Sequence, residues 1–91
     1  MDNFGEYIAG ETIALGSSKT GFVPDAATLA LVRSEGGAVY YDINATTANV
    51  NSAGYLPDGW PMIIGPIDNL NSLAFYGASG VKVHVQYFTG A

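Results

Sequence analysis

The sequence predicts an all-β fold, a small antiparallel sandwich or barrel of six to seven short strands with an extended N-terminal arm. Three observations predict it. Apolar residues alternate with period two along most of the chain, most cleanly where Val81, Val83, Val85 and Tyr87 interleave with Lys82, His84, Gln86 and Phe88. Turn formers recur roughly every 8–12 residues, the rhythm of short strands. The 12 glycines and 4 prolines fall largely between the apolar runs rather than within them.

Residues 6–15 (EYIAGETIAL) read as a first strand interrupted at Gly10. Residues 16–27 are rich in turn formers, contain the short apolar entry Phe22-Val23, and are broken by Pro24. Residues 1–27 are therefore read as an arm, or as an edge strand plus a long loop, ahead of a β domain over 28–91. An arm of this kind is expected to be removable, over residues 1–20, without unfolding the rest.

Residues 28–34 have helical propensity at their start, but Leu29, Leu31 and Arg33 share a period-two face, so the segment reads as a strand. Gly36-Gly37 reads as a two-residue hairpin turn, because both positions tolerate positive φ. The next strand, AVYYDI, sets Val39, Tyr41 and Ile43 against Tyr40 and Asp42. Residues 44–54 are small, polar and patternless, an exposed loop. Tyr55-Leu56 leads into the turn Pro57-Asp58-Gly59, and a strand then begins at Trp60-Pro61, where no ladder donor is needed. Gly65-Pro66 ends it. Leu73–Tyr76 is a short strand, Gly77–Gly80 a hairpin loop, and Val81–Phe88 the last strand.

Composition narrows the chemistry. Charged residues make up 12% of the chain against a usual ~25%. There is no cysteine, one histidine, and a net charge of −5. Lys19, Arg33 and Lys82 are too few and too scattered in sequence for a phosphate-binding patch, which argues against nucleic acid and against anionic membranes. No apolar run reaches the ~20 residues of a membrane span. Met1–Glu6 is acidic and lacks the basic start and apolar run of an export signal. A short domain without disulfides, and with nothing resembling a metal site, gains stability from oligomerisation.

Candidate catalytic groups do not assemble into a motif. His84 sits on the polar face of its strand and reads as a solvated or interface histidine. Asp42, Asp58 and Asp68 lie at strand ends or turns, where Asp caps local backbone. Asp42-Ile43-Asn44 offers two oxygens and no further calcium ligand. Asn44-Ala45-Thr46 matches the glycosylation acceptor pattern without a secretion signal to give it meaning. The chain is read as a non-enzyme with no cofactor and no metal.

The aromatic residues are concentrated in the second half. Adjacent pairs (Tyr40/Tyr41, Phe75/Tyr76, Tyr87/Phe88) place one ring on each face of a strand. Outward rings suggest a subunit interface, or else a sugar-stacking platform, which usually adds polar donors close to the ring.

From residue 28 onward the order of features resembles a group of small β-structured virion proteins of tailed bacteriophages, most of all capsid decoration (cement) proteins. The features are the alternating strand, the Gly turn, the aromatic strand AVYYDI, the small polar loop, Gly54-Tyr55-Leu56, the Asp58-Gly59 turn, LAFYG, a second Gly turn and VKVHVQYF. Tyr40–Asn44 lacks the arginines and the Asp-Gly turn often found there. The resemblance implies a virion protein on the capsid surface, assembled in the bacterial cytoplasm as a homotrimer. Its partner would be the major capsid protein, which it clamps without chemistry. The contact residues are then the arm residues Phe4, Tyr7, Ile8 and Phe22 and the outward rings Tyr40, Tyr76 and Phe88. Two alternatives stand beside this. One is a low-copy tail or head–tail connector component. The other is a small carbohydrate-binding domain using Trp60 and Tyr55.

Overall fold

A computed structural model describes residues 6–89. It is a sandwich of two four-stranded antiparallel sheets, with eight strands and no helix among the described residues. The strands are β1 (Tyr7–Ala14), β2 (Ser18–Gly21), β3 (Leu29–Glu35), β4 (Val39–Ile43), β5 (Gly54–Leu56), β6 (Pro61–Ile64), β7 (Leu73–Tyr76) and β8 (Lys82–Phe88). One sheet has the order β1-β8-β3-β6 and the other β2-β7-β4-β5.

The pairings follow one rule. β1 pairs with β8, β2 with β7, β3 with β6 and β4 with β5, all antiparallel. The chain is thus one long hairpin whose tip is the β4–β5 loop. The ribbon is rolled up so that β3 also pairs with β8 and β4 with β7. This is the connectivity of a double-sheet jelly roll. Only the β4–β5 connection stays within a sheet; every other one crosses between sheets.

The core lies between the sheets. Val32, Val83, Val85 and Tyr87 from one sheet meet Val39, Leu56, Leu73 and Phe75 from the other, all essentially solvent-free. Alternation does this directly: β8 runs exposed or half-buried at every even position and buried at every odd one.

Two features differ from the sequence reading. The Gly36-Gly37 turn is not a hairpin, because both hydrogen-bonding edges of β3 are taken by β8 and β6, and both edges of β4 by β7 and β5. The turn instead carries the chain from one sheet to the other. Gly36 does hold a positive φ of 93°, and Gly37 is pressed so close that a Cβ there would meet the Val81 side chain at 2.9 Å. Gly77–Gly80 crosses between sheets in the same way. Second, the turn-rich segment after residue 15 contains β2. Its residues Ser18-Lys19-Thr20-Gly21 have no apolar alternation and are held by backbone pairing to β7. Residues 7–14 and 18–21 are therefore edge strands, one in each sheet.

Polar contacts close the open sides of the sandwich. On the β1/β2 side, Glu11 points inward. Its Oε2 accepts a hydrogen bond from the Tyr87 hydroxyl (2.6 Å) and another from the Phe22 backbone N–H (2.8 Å). Gly21 leaves room for this pair: a Cβ there would lie 2.8 Å from the Tyr87 hydroxyl. Burial, then the bond to Glu11, pushes the Tyr87 phenol up from its ordinary value, so it stays a donor. On the β5/β6 side, the Tyr41 hydroxyl meets the Met62 sulfur at 3.4 Å. Beneath the 57–59 turn, buried Ser34 donates to the Pro57 carbonyl (3.0 Å) while its own carbonyl accepts from the Gly59 N–H (3.1 Å).

Glu11→Ala leaves the buried Tyr87 hydroxyl without an acceptor. Urea unfolding should show a loss of about 1–3 kcal/mol with an unchanged slope. Tyr87→Phe should cost less than Glu11→Ala, because Glu11 keeps the Phe22 amide. Deleting residues 1–20 removes all of β1 and most of β2. The remainder should show no cooperative transition, against the expectation of a removable arm.

Candidate interaction surfaces

Cross-strand register decides which side chains stand together. On the outer face of the β2-β7-β4-β5 sheet, Tyr76 is opposite Tyr40, and Tyr40 is opposite Tyr55. Three tyrosines from three adjacent strands thus form one row, continued on β2 by Ser18. The Tyr40 and Tyr55 rings lie 5.5 Å apart at 59°. Tyr55 is half exposed, and Tyr40 and Tyr76 are partly so.

The β4–β5 loop frames this row. The next row of the same face is Thr20, Ala74 and Asp42. The Thr20 hydroxyl donates to the Thr46 carbonyl (2.9 Å), and the Asp42 carboxylate accepts from the Ser52 hydroxyl (2.6 Å). Ala74 between them is fully buried although it points outward, so the loop folds back across it. The Ala48 amide donates to the Ser18 hydroxyl (2.9 Å), and Ala48 is itself buried. The loop is therefore not wholly exposed, as the sequence suggests, but half packed onto the sheet. Asn44 begins it at φ 55°, with its side-chain oxygen accepting from the Asn71 amide (2.8 Å). Asp42 and Asn44 are thereby engaged in holding the loop, and no group of metal-ligating side chains occurs among the described residues.

On the outer face of the other sheet, Tyr7 packs edge-to-face on Phe88 with centroids 5.6 Å apart. A Cβ on Gly10 would come within 2.8 Å of the Tyr7 hydroxyl, so Gly10 allows the ring to lie along the sheet. Farther along, His84 is opposite both Thr12 and Arg33. Its Nε2 is 2.8 Å from Glu35 Oε1, and its Nδ1 is 3.2 Å from the Thr12 hydroxyl. A carboxylate only accepts, so Nε2 carries the proton. Hydroxyl, imidazole and carboxylate follow one another in the order used by nucleophilic hydrolases. Yet β8 and β3 are paired on both sides, so the amides around His84 and Arg33 are taken up in ladders and leave no backbone donor for an oxyanion. The trio is a set of cross-strand polar contacts.

The anticipated contact residues thus separate. Tyr40 and Tyr76 come together, and Tyr7 meets Phe88 on the opposite sheet. Ile8 is partly buried against the core. Phe22 is 80% exposed in the β2–β3 connection, and Phe4 lies outside the described residues. Tyr55 joins the tyrosine row rather than pairing with Trp60, which lies beyond the 57–59 turn at the start of the other sheet. The sequence reading left Tyr55 out of the interface. The signal that places it there is the register of β5, which only the paired strands reveal.

The His84 hydrogen bond, then the charges of His84 and Lys82, hold the Glu35 carboxyl below its ordinary value of 4.5. A depressed carboxyl favours the folded state above that value, and the benefit is lost as pH falls through the folded-state value. Acid titration of urea stability should therefore show a decline below about pH 4.5 that is shallower in Glu35→Gln. An identical decline in both proteins would remove Glu35 as its source.

No protein-family model, no curated protein and no solved structure matches this chain.

Proposed function

We propose that this protein is a capsid decoration (cement) protein of a tailed bacteriophage. It would bind the outer surface of the assembled head as a homotrimer and stabilise contacts between major capsid subunits. The observation that carries this reading is the exposure of large apolar side chains on a surface poor in charge. Phe22, Trp60, Tyr7, Tyr55 and Ile63 are each more than half exposed, in a chain with 12% charged residues. Rings in this setting suit a protein–protein interface, where aromatic side chains give large contact area at small entropic cost. The tyrosine row adds a rigid patch, since its spacing is set by three paired strands.

The jelly-roll connectivity is compatible with this role, being shared by viral capsid domains and by lectins, but a fold does not assign a function. The lectin comparison keeps a second reading open. Asp42 stands on the outer face one row from Tyr40, the kind of polar group that sugar platforms place beside a ring. Perturbation of the tyrosine row by members of a glycan panel would favour that reading.

Quantitative mass spectrometry of purified particles tests the first. A ratio near one to one with the major capsid protein is expected. A few copies per particle would move the assignment to the tail or connector, and absence would remove the virion reading. Tyr55→Ala and Tyr40→Ala should each weaken binding to particles about tenfold or more, while urea stability changes by about 1 kcal/mol or less for exposed Tyr55.

A further inference from the structure

The outer face of the β1-β8-β3-β6 sheet is a groove of about 620 Å³. Thr12, Leu31, Arg33, His84 and Gln86 lie along it, with Tyr7 on one edge strand and Pro61 on the other. It crosses all four strands. Three inter-strand spacings come to about 14 Å, the length of about four residues of extended chain.

The charge of this face is opposite to that of the chain. The net charge is −5. Arg33 and the one histidine line the groove, and Lys82, a second of the three basic residues, stands on the same sheet beside it, opposite Glu35. Among the strand residues of the face the one carboxylate is Glu35, which His84 engages at 2.8 Å. The other described acids do not stand at outward strand positions of this face. Glu11 borders the groove on β1 but turns its carboxylate inward to Tyr87 and the Phe22 amide, Asp58 accepts from the Gly36 amide just beyond β3, Asp42 belongs to the other sheet, Asp25 and Asp68 sit in connections, and Glu6 precedes β1. Scattered in sequence, the cations are gathered by the β3–β8 register, which sets Arg33 opposite His84 and Glu35 opposite Lys82.

We infer that this groove docks a short, extended, acidic segment of a partner protein, an inference that rests on the proposed function only for naming that partner as the major capsid protein. Exposed Arg33 supplies a planar fork suited to a carboxylate. Tyr7, Leu31 and Pro61 offer apolar contact on either side of it, and the Gln86 amide can meet peptide groups. An extended chain turns alternate side chains to opposite faces, so acidic and apolar residues can each find their match. A second copy of this chain fits less well. Its Asp42, Asp58, Glu11 and Glu35 carboxylates are already hydrogen-bonded within the fold, and its other described acids, Glu6, Asp25 and Asp68, stand singly outside the strands rather than along one extended segment.

The test uses the full chain at low salt, with backbone amide NMR shifts followed during titration with acetyl-Glu-Val-Glu-Val-Glu-amide and with its Gln-for-Glu counterpart. Saturable shifts at Thr12, Leu31, Arg33 and Gln86 are expected, with the neutral peptide about tenfold weaker. Arg33→Gln, whose spectrum should otherwise match the parent, should weaken the acidic peptide by a similar factor. Equal binding of both peptides, shifts centred on Tyr40, Tyr55 and Tyr76, or no saturation would overturn the inference. So would an oligomer that Arg33→Glu converts to monomer, because the occupant would then be a second copy. Particle copy number is measured separately. A one-to-one ratio without peptide binding sinks only this inference, whereas peptide binding without virion incorporation sinks only the capsid assignment.

Discussion

The burial of Val32, Val39, Phe75, Val85 and Tyr87 between two four-stranded sheets is the constraint on which the rest of the structure depends. The core is one side chain deep from each sheet. A chain without cysteine has no covalent staple to add to it. Each sheet needs its apolar face covered by the other, so the ribbon must fold over itself, and nearly every connection crosses between the layers. The sharp glycine turns at residues 36–37 and 77–80 serve this crossing and pack beside each other: a Cβ on Gly36 would sit 3.2 Å from the Gly80 carbonyl.

Folding the ribbon leaves four edge strands, β1, β2, β5 and β6. Unprotected edges invite pairing with other chains. Here β5 is three residues long and β6 begins at a proline, which cannot donate to a further strand. On the β1/β2 side, Glu11 turns inward and ties both sheets through Tyr87 and the Phe22 amide. An inward carboxylate on an edge strand is an unfavourable partner for an incoming strand. Self-association through those edges is therefore discouraged, and contact is left to the sheet faces.

The two outer faces differ in chemistry because register groups unlike residues on them. One aligns Tyr76, Tyr40 and Tyr55 beside a loop anchored by Ser18, Thr20 and Asp42. The other sets Arg33 and His84 in a groove edged by Tyr7 and Pro61, with Lys82 beside it. Both are carried on paired strands, so the positions of their side chains are set by the ladder rather than by flexible loops. A molecule with two rigid, dissimilar faces can touch two neighbours at once, as the proposed clamp between capsid subunits would require.

The sequence by itself determined the strands whose inner faces are apolar. β4 and β8 are legible because burial of one face imposes period two on their residues, and the start of β6 is legible because proline is admitted only where no donor is needed. β3 is a strand as read, but Leu31 and Arg33 of the set that marks it stand on the outer face, and the residues it turns inward are Ala30, Val32 and Ser34. It also determined that the surface is poor in charge and rich in rings. Tertiary structure decided the remainder. β2 has no apolar pattern, since Ser18–Thr20 lie at a sheet margin and owe their conformation to backbone bonds with β7. The glycine turns allow a reversal, but whether it pairs neighbours or joins two sheets depends on which edges distant strands have already taken. The tyrosine row and the cation groove depend likewise on partners far apart in the chain: Tyr55 beside Tyr40, Arg33 beside His84. Period-two alternation says which face of a strand a residue occupies; only pairing says what stands next to it.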